Sequence, residues 1–210
     1  MIYLPERLKP VITGIDAIGG SIEPAPRHPR WISYGDSIAA GQMASSPALG
    51  WAALVARRHE LDVFNMGYPG AARGELATAE QIAALDAAVI SITHGTNCWN
   101  RIPFSESLMR ENTIAFLALV RAGHPHTPIA VSSPPLRPEA EDTANAIGAT
   151  LGDLRRAMAE AAKAFDGVRF VDGASLITDE MLHDHVHPND AGHAALADAL
   201  GPVIAEAAGG

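Results

Sequence analysis

The feature that most constrains the fold is an alternation of short, apolar, β-branched runs with longer stretches of helical character. The runs are predicted as strands at 31–34, 62–65, 88–92, 129–132 and 169–171. The intervening and following stretches are predicted as helices at 49–59, 76–85, 106–122, 146–165 and 191–207. Strands and helices that alternate in this way build a parallel sheet with helices on both faces. The pattern therefore predicts an α/β fold, a three-layer α/β/α sandwich around a mainly five-stranded parallel sheet.

The chain divides into two parts of different character. Residues 1–29 contain several prolines and glycines and show no sustained period, which favours an irregular extension with at most one or two edge strands. The regular pattern begins after them, and 210 residues are enough for one compact domain. We therefore predict an α/β domain over 30–210, preceded either by an N-terminal extension or by the remnant of a connector from another domain.

Composition excludes several classes of function. The net charge of −9 argues against a protein that tracks nucleic-acid phosphates, because such affinity comes from Lys and Arg. A single cysteine excludes a disulfide framework, and no apolar run is long enough for a membrane span. The segment MIYLPERLKP lacks the basic-then-apolar layout of a signal peptide, so a cytoplasmic protein is expected. A fragment of a longer secreted protein would have the same N-terminus.

Polar and glycine residues follow three of the predicted strands. Ser37 lies just after the first strand, in Gly35-Asp36-Ser37, where a nucleophile would be presented, although Asp-Ser is also a common helix cap. Gly70 ends the loop after the second strand and could present its N–H to a ligand or simply form a turn. Asn97 follows the third strand and can donate hydrogen bonds without carrying charge. In a parallel sheet such loops meet at one edge.

A carboxylate and an imidazole precede the last predicted helix. Asp184 and His187 are three residues apart, which places them on one face of a turn-like loop. The carboxylate can then orient the imidazole through its Nδ1–H. Pro188 keeps His187 out of helical geometry.

Together these segments resemble the four signature blocks of the SGNH (GDSL-type) hydrolases. Gly35-Asp36-Ser37 matches the nucleophile block, Gly70 the second block, Gly95-Thr96-Asn97 the third, and Asp184-His185-Val186-His187-Pro188 the last. The resemblance covers the chain from about residue 31 to its end. It implies the flavodoxin-like arrangement of that family, without a cofactor or a metal. Ile38 in place of leucine and Cys98 in place of aspartate depart from the usual blocks.

The resemblance implies a role for each matched residue. Ser37 would attack an acyl carbonyl, His187 would take its proton, and Asp184 would hold the imidazole. The backbone N–H groups of Ser37 and Gly70 and the side-chain amide of Asn97 would form the oxyanion hole. The expected substrate is a small-molecule ester or acyl donor. Hydrolysis would make the protein an esterase, and transfer to another hydroxyl or amine would make it an acyltransferase.

Four further residues are candidates for contact with substrate. They are Asp36, Tyr68, Trp99 and Phe104. The three aromatic residues could line an acyl pocket or simply pack. Cys98, which lacks an assigned base, is predicted to be a small buried hydrophobe.

Other readings remain open from the sequence. His183, His185 and His187 alternate and would share one face of a strand, as zinc ligands can, but Pro188 favours a loop there. A non-catalytic carbohydrate- or lipid-binding domain on the same scaffold is another possibility. Ser133-Pro134-Pro135 and the segment 144–148 resemble a branch of the family in which a β-sandwich (jelly-roll) domain often precedes the hydrolase domain.

Overall fold

The structure of the protein, a computed structural model, describes residues 3–4 and 11–209. Its strands are β1 (Arg30–Gly35), β2 (Asp62–Gly67), β3 (Val89–Thr93), β4 (Ile129–Ser132) and β5 (Val168–Val171). They form one sheet of five strands in the order β2-β1-β3-β4-β5, and every neighbouring pair is parallel. The predicted parallel sheet is confirmed, and each predicted strand overlaps an observed one.

Helices cover both faces of the sheet. They are α1 (Trp51–Arg58), α2 (Leu76–Ala83), α3 (Glu106–Gly123), α4 (Pro138–Asp142), α5 (Leu151–Ala162) and α6 (Asp190–Ala208). Apolar residues of α2, α3 and α5 pack with one face of the strands, and those of α1 and α6 pack with the other. The predicted three-layer sandwich is therefore confirmed.

Strand β1 is buried on both faces from Trp31 to Gly35. Successive side chains of a strand point to opposite faces. Trp31 accordingly packs with the α1 and α6 layer, whereas Ile32 and Tyr34 pack with the α2, α3 and α5 layer, and all three are fully buried. A strand with helices on both faces has no solvent-facing side, so the alternation of apolar and polar residues is lost.

Two predictions about helices need correction. The helix predicted over 146–165 begins only at Leu151 and ends at Ala162, because Thr150 and Asp153 form a capping box at its start. The preceding residues form a turn in which the Asn145 side chain accepts from the N–H of Ile147. The short helix α4 was not predicted, because a segment of five residues that begins at a proline is too short to show helical periodicity.

The segment before β1 has an irregular backbone where it is described. Residues 11–29 contain no helix or strand, and Val11, Ile15 and Ile18 are largely exposed. Strand β1 starts at Arg30, and the division of the chain into an extension and a domain, like the origin of the segment, stays a prediction. None of the helices in the described part of the chain combines the length and the apolar character needed to cross a membrane.

The strand order determines where a site can form. The chain runs from β1 outward to β2 and then crosses back to β3 on the other side of β1. At such a switch point the loops after neighbouring strands diverge and leave a crevice at the carboxyl edge of the sheet. The loops after β1, β2 and β3 are those that carry Ser37, Gly70 and Asn97.

Candidate active site

Ser37 lies in a tight turn immediately beyond β1. Gly35 makes the turn possible, since a Cβ atom there would lie 2.5 Å from the carbonyl oxygen of Thr93 on β3. The Ser37 side chain is largely enclosed, and its Oγ lies 2.9 Å from Nε2 of His187, which comes from the far end of the chain. The two residues that the sequence separates by most of its length are therefore in hydrogen-bond contact.

Asp184 holds the His187 ring from the other side. Its Oδ2 lies 2.8 Å from His187 Nδ1, and its Oδ1 accepts the backbone N–H of His187 at 2.8 Å. With Nδ1–H donating to Asp184, the neutral ring leaves Nε2 free to accept the Ser37 hydroxyl proton. Burial, the largest single influence, raises the pKa of Asp184, but the hydrogen bonds and charge of His187 together bring it below its ordinary value.

The loop that carries this pair is closed by backbone contacts. The N–H of His183 donates to the carbonyl of His187 at 2.8 Å, and Leu182 and Pro188 form an isolated antiparallel bridge. His185 adopts a left-handed backbone, with φ 60°, at the tip of this loop and has an exposed side chain. The segment is thus a loop, and the alternating histidines do not share one face of a strand. No group of three potential metal ligands occurs in the described residues.

Three predicted oxyanion donors lie around the same point of the sheet edge. Gly70 has φ 74°, a left-handed conformation that suits glycine. Within the described chain, neither its N–H nor that of Ser37 donates to another group. The side-chain amide of Asn97 donates one hydrogen to the carbonyl of Ala71 at 2.7 Å, which leaves its second hydrogen available.

Arg73 ties the second and third of these loops together. Its Nη2 donates to the carbonyl of Gly70 at 3.0 Å and its Nε donates to the carbonyl of Asn97 at 3.2 Å. One guanidinium therefore fixes the separation of two predicted oxyanion donors. Arg73 is not among the residues predicted from the sequence, although its position three residues beyond the second block is a signal that could have identified it.

Asp36 lies beneath the nucleophile turn and does not line the cleft beside Ser37. It is 2% exposed and accepts the N–H of Ile38 at 2.9 Å. Burial is the largest influence on its carboxyl group and raises the pKa to about 6, although that hydrogen bond and the charge of His187 lower it. Asp36 therefore supports the turn. It does not line the cleft, where a residue that contacts substrate was expected.

The aromatic candidates separate into two groups. Trp99 and Phe104 are each 8% exposed and belong to the core between the sheet and the α2, α3 and α5 layer, so packing describes them better than pocket lining. The short helical turn at Thr96–Cys98 carries the chain inward after Asn97 and directs these rings into the core. Tyr68 is partly exposed beside Tyr34 and does not line the cleft.

Two further residues near the site, Cys98 and His193, are buried. Cys98 is fully enclosed, and burial raises the pKa of its thiol, as expected for a small hydrophobe. His193 of α6 accepts the N–H of Trp51 through Nδ1 and lies 3.0 Å from the carbonyl of Gln42 through Nε2. It therefore joins α6 to α1 and to the end of the nucleophile turn.

A polar cleft of about 330 Å³ opens above the Ser37–His187 contact. It is lined by Ser37, Gln42, Gly70, Arg73, Thr96, Asn97, Asn100, Arg101, Arg137, Val186 and His187. The volume is at the lower end of the range for small-molecule sites. A serine hydroxyl with a hydrogen-bonded imidazole, facing such a cleft, can attack an electrophilic carbon of a small ligand.

The chain is similar to known proteins both in sequence and in structure. A sequence model of the GDSL-like lipase/acylhydrolase family matches residues 33–195. A search of curated proteins gives no match. Among solved structures, the chain is similar to the salicylyl-acyltransferase SsfX3 from a tetracycline biosynthetic pathway. The identity is 27% and the TM-score 0.74, over 84% of this chain and 54% of that one.

Two carbohydrate esterases share the fold at lower identity. A family two enzyme from Clostridium thermocellum, solved with cellohexaose, has 17% identity and a TM-score of 0.72, over 90% of this chain and 67% of that one. A family 3 enzyme from Talaromyces cellulolyticus has 17% identity and a TM-score of 0.67, over 86% and 98%. The chain thus spans about half the length of the acyltransferase and nearly all of the family 3 esterase.

Proposed function

Because the chain belongs to the GDSL-like lipase/acylhydrolase (SGNH) family, we propose that it hydrolyses carboxylic esters through Ser37, His187 and Asp184. The observation that carries the proposal is the contact of 2.9 Å between Ser37 Oγ and His187 Nε2, continued by 2.8 Å from His187 Nδ1 to Asp184. This is the nucleophile–base–carboxylate chain that acyl transfer requires.

The proposed reaction has two steps. Ser37 Oγ attacks the ester carbonyl carbon while His187 takes the hydroxyl proton, and the tetrahedral intermediate expels the alcohol, which receives that proton. A water molecule, deprotonated by His187, then releases the carboxylic acid from Ser37. The N–H groups of Ser37 and Gly70 and the Asn97 amide would stabilise the negative charge on the carbonyl oxygen in both steps.

A serine-directed fluorophosphonate probe tests this proposal. We expect the wild-type protein to be labelled at one serine and to hydrolyse p-nitrophenyl acetate. Ser37→Ala should lose labelling and should lower kcat by up to roughly 10⁶. Ser107→Ala is the matched control, since Ser107 is an exposed serine on α3. Labelling that persists in Ser37→Ala would overturn the proposal, because the nucleophile would then be another residue. An unlabelled wild-type protein would also overturn it and would favour a binding domain.

Acyl transfer is a second candidate, favoured by the 27% identity to an acyltransferase. The same acyl-Ser37 intermediate would then be attacked by a hydroxyl or amine in place of water. The two reactions are separated by adding increasing concentrations of an alcohol at a fixed ester concentration. Saturable formation of the new ester at the expense of the acid indicates transfer, and a product ratio that follows bulk nucleophile concentration indicates hydrolysis.

A further inference from the structure

The cleft beside Ser37 has an unusual charge for this protein. The chain carries 24 acidic and 15 basic residues, yet Arg73, Arg101 and Arg137 all line the cleft. Among the described residues, no aspartate or glutamate lines it. Arg73 already donates to two backbone carbonyls, and Arg101 is exposed at the rim. Arg137 is therefore the buried arginine of the cleft that is best placed to bind a ligand.

The Arg137 guanidinium stacks on the ring of Trp99, which forms an aromatic floor beneath it. Its guanidinium carbon lies 4.7 Å from the centre of the Trp99 ring, and only 8% of the residue is exposed. The indole N–H of Trp99 donates to the carbonyl of Thr143 at 2.9 Å, which fixes the ring. A guanidinium stacked on a fixed ring loses little freedom when it binds a ligand.

The loop that carries Arg137 is held by a second, buried arginine. Arg155 donates to the carbonyls of Pro134 and Pro135 at 2.8 and 2.9 Å. It also binds both carboxylate oxygens of Glu141 at 2.7 and 2.8 Å. Glu141 in turn accepts the backbone N–H of Arg137 at 3.1 Å. The position of the Arg137 backbone is therefore set before any ligand arrives.

The charge of Arg137 is poorly matched within the protein. Its Nε is buried and makes no hydrogen bond to the residues that the structure describes. Among the described residues Arg137 forms an ion pair with Glu139, 3.3 Å from its Nη2, but the Glu139 side chain is 67% exposed, and solvent weakens such a pair. Burying a cation without a partner costs free energy, and an anion in the cleft would offset that cost.

We propose that the cleft selects esters that carry an anionic group, a carboxylate or a phosphate, and that Arg137 on its Trp99 floor binds that group. The inference rests on the proposed function, because it names the substrate class of the same site. Arginine suits this task since its planar fork pairs with the oxygens of either anion. Arg101, at the rim, adds to the attraction.

Matched ester pairs test the proposal. On the alcohol side, 4-acetoxybenzoate is compared with its methyl ester, and 4-acetoxyphenyl phosphate distinguishes phosphate from carboxylate. On the acyl side, mono-p-nitrophenyl glutarate is compared with p-nitrophenyl pentanoate. We expect wild-type kcat/KM to favour the anionic member of at least one pair. In Arg137→Met that preference, the ratio of kcat/KM for the anionic member to kcat/KM for the neutral member, should fall by about 10- to 100-fold.

Two further variants keep the result interpretable. Arg110→Met, at an exposed position on α3, is the matched control and should retain the wild-type preference. If Arg137→Met does not fold, Arg137→Lys keeps the charge but loses the fork, and should give a preference below that of the wild type. Comparing the ratio within each pair between the wild type and a variant cancels the intrinsic reactivity of the esters.

The outcomes for this inference and for the proposed function are distinct. Ser37-dependent turnover with no preference for either anion, or a preference that survives in Arg137→Met, overturns the inference and leaves the esterase proposal intact. If no ester is turned over, calorimetric titration of 4-acetoxybenzoate into Ser37→Ala still decides the matter. Tighter binding than for its methyl ester, lost in Ser37→Ala/Arg137→Met, supports the inference, and equal binding contradicts it.

Discussion

At the scale of single residues, Asn97 makes one observed contact and is proposed to make a second one, and the two can be measured separately. Its amide donates one hydrogen to Ala71 and has a second available for the oxyanion. We expect Asn97→Ala to lower kcat by about 10²–10³ with little change in KM, because the oxyanion contact exists only in the transition state. The lost loop contact, about 1 kcal/mol, should lower Tm by roughly 2–4 °C.

Arg73→Met is the comparison that interprets this result. It removes two hydrogen bonds to the same loops but no proposed oxyanion donor. Its kcat should therefore fall less than that of Asn97→Ala for a similar loss of Tm. Equal losses of kcat in the two variants would show that Asn97 acts only by holding its loop.

The second prediction for a single residue concerns Asp36 and the dependence of the free energy of unfolding on pH. Burial raises the pKa of Asp36 to about 6, so the folded protein retains a proton that the unfolded chain releases at lower pH. The free energy of unfolding should therefore fall as pH rises from about 4 to about 6. Asp36→Asn lacks this titration while its side-chain oxygen still accepts the N–H of Ile38.

Urea melts of both proteins at pH 4.5 and pH 7.5 measure the effect. The stability of Asp36→Asn relative to the wild type should increase between these pH values, by at most about 3 kcal/mol. A difference that does not change with pH would show that Asp36 is not kept protonated by burial.

The sequence identifies those site residues whose roles follow from their place at strand ends. Ser37, Gly70 and Asn97 follow β1, β2 and β3 closely, so the parallel sheet alone brings them to one edge. Trp99 and Phe104 lie further along the third loop. The direction of their side chains depends on a helical turn that is too short to show a periodic pattern in the sequence. Proximity in sequence to a catalytic block therefore does not predict which side chains face the cleft.

At the scale of elements, the ion pair between Arg155 and Glu141 holds the segment from β4 through α4. Burial, the largest influence, raises the pKa of Glu141, but the hydrogen bond and charge of Arg155 together with the Arg137 N–H lower it below the ordinary value. Arg155→Met leaves this half-buried carboxylate without its partner and should cost about 3 kcal/mol. For a chain of this size Tm should then fall by roughly 6–12 °C.

The pH dependence of that loss provides its control. A depressed pKa means that the pair stabilises the fold above the ordinary titration range of glutamate and ceases to do so on acidification. The difference in unfolding free energy between the wild type and Arg155→Met should therefore shrink towards pH 3. A difference of constant size would indicate that Arg155 stabilises the loop only through the carbonyls of Pro134 and Pro135.

The sequence could not reveal this element. Helix α4 is five residues long and begins at Pro138, so it lacks the periodicity on which helix prediction depends. The position of Arg137 over Trp99 requires the path of the whole loop, which contacts with Arg155 determine. Long-range contacts of this kind have no local signature in the sequence.

At the scale of the whole molecule, the size and polarity of the cleft limit the acyl group. Val186 is the one non-glycine apolar residue among the described residues that line its 330 Å³. Each methylene group buried in an apolar pocket gains about 0.8 kcal/mol, and this cleft offers little such surface. We expect kcat/KM for p-nitrophenyl esters to be highest with acetate or propionate.

A series from acetate to octanoate, corrected for the rate of Ser37→Ala, measures this preference. A steady rise of kcat/KM towards octanoate would contradict it and would require an apolar surface outside the cleft described above.

The architecture was accessible from the sequence because it depends on a global pattern. Buried β-branched runs that alternate with helices predict the parallel sheet, and the order β2-β1-β3-β4-β5 places the crevice next to β1. The charge of the cleft was not accessible, because Arg73, Arg101 and Arg137 are scattered along a chain of net charge −9. Only the folded loops bring the three arginines together.

Rapid-quench analysis with p-nitrophenyl acetate tests whether Ser37 carries the acyl group during turnover. We expect a burst of p-nitrophenolate, up to one equivalent per chain when deacylation is slow, and an acetyl group on the peptide that contains Ser37. His187→Ala should abolish both signals. Turnover with no acetyl group on that peptide at any quench time, or with the acetyl group on another residue, would show that Ser37 is not the nucleophile.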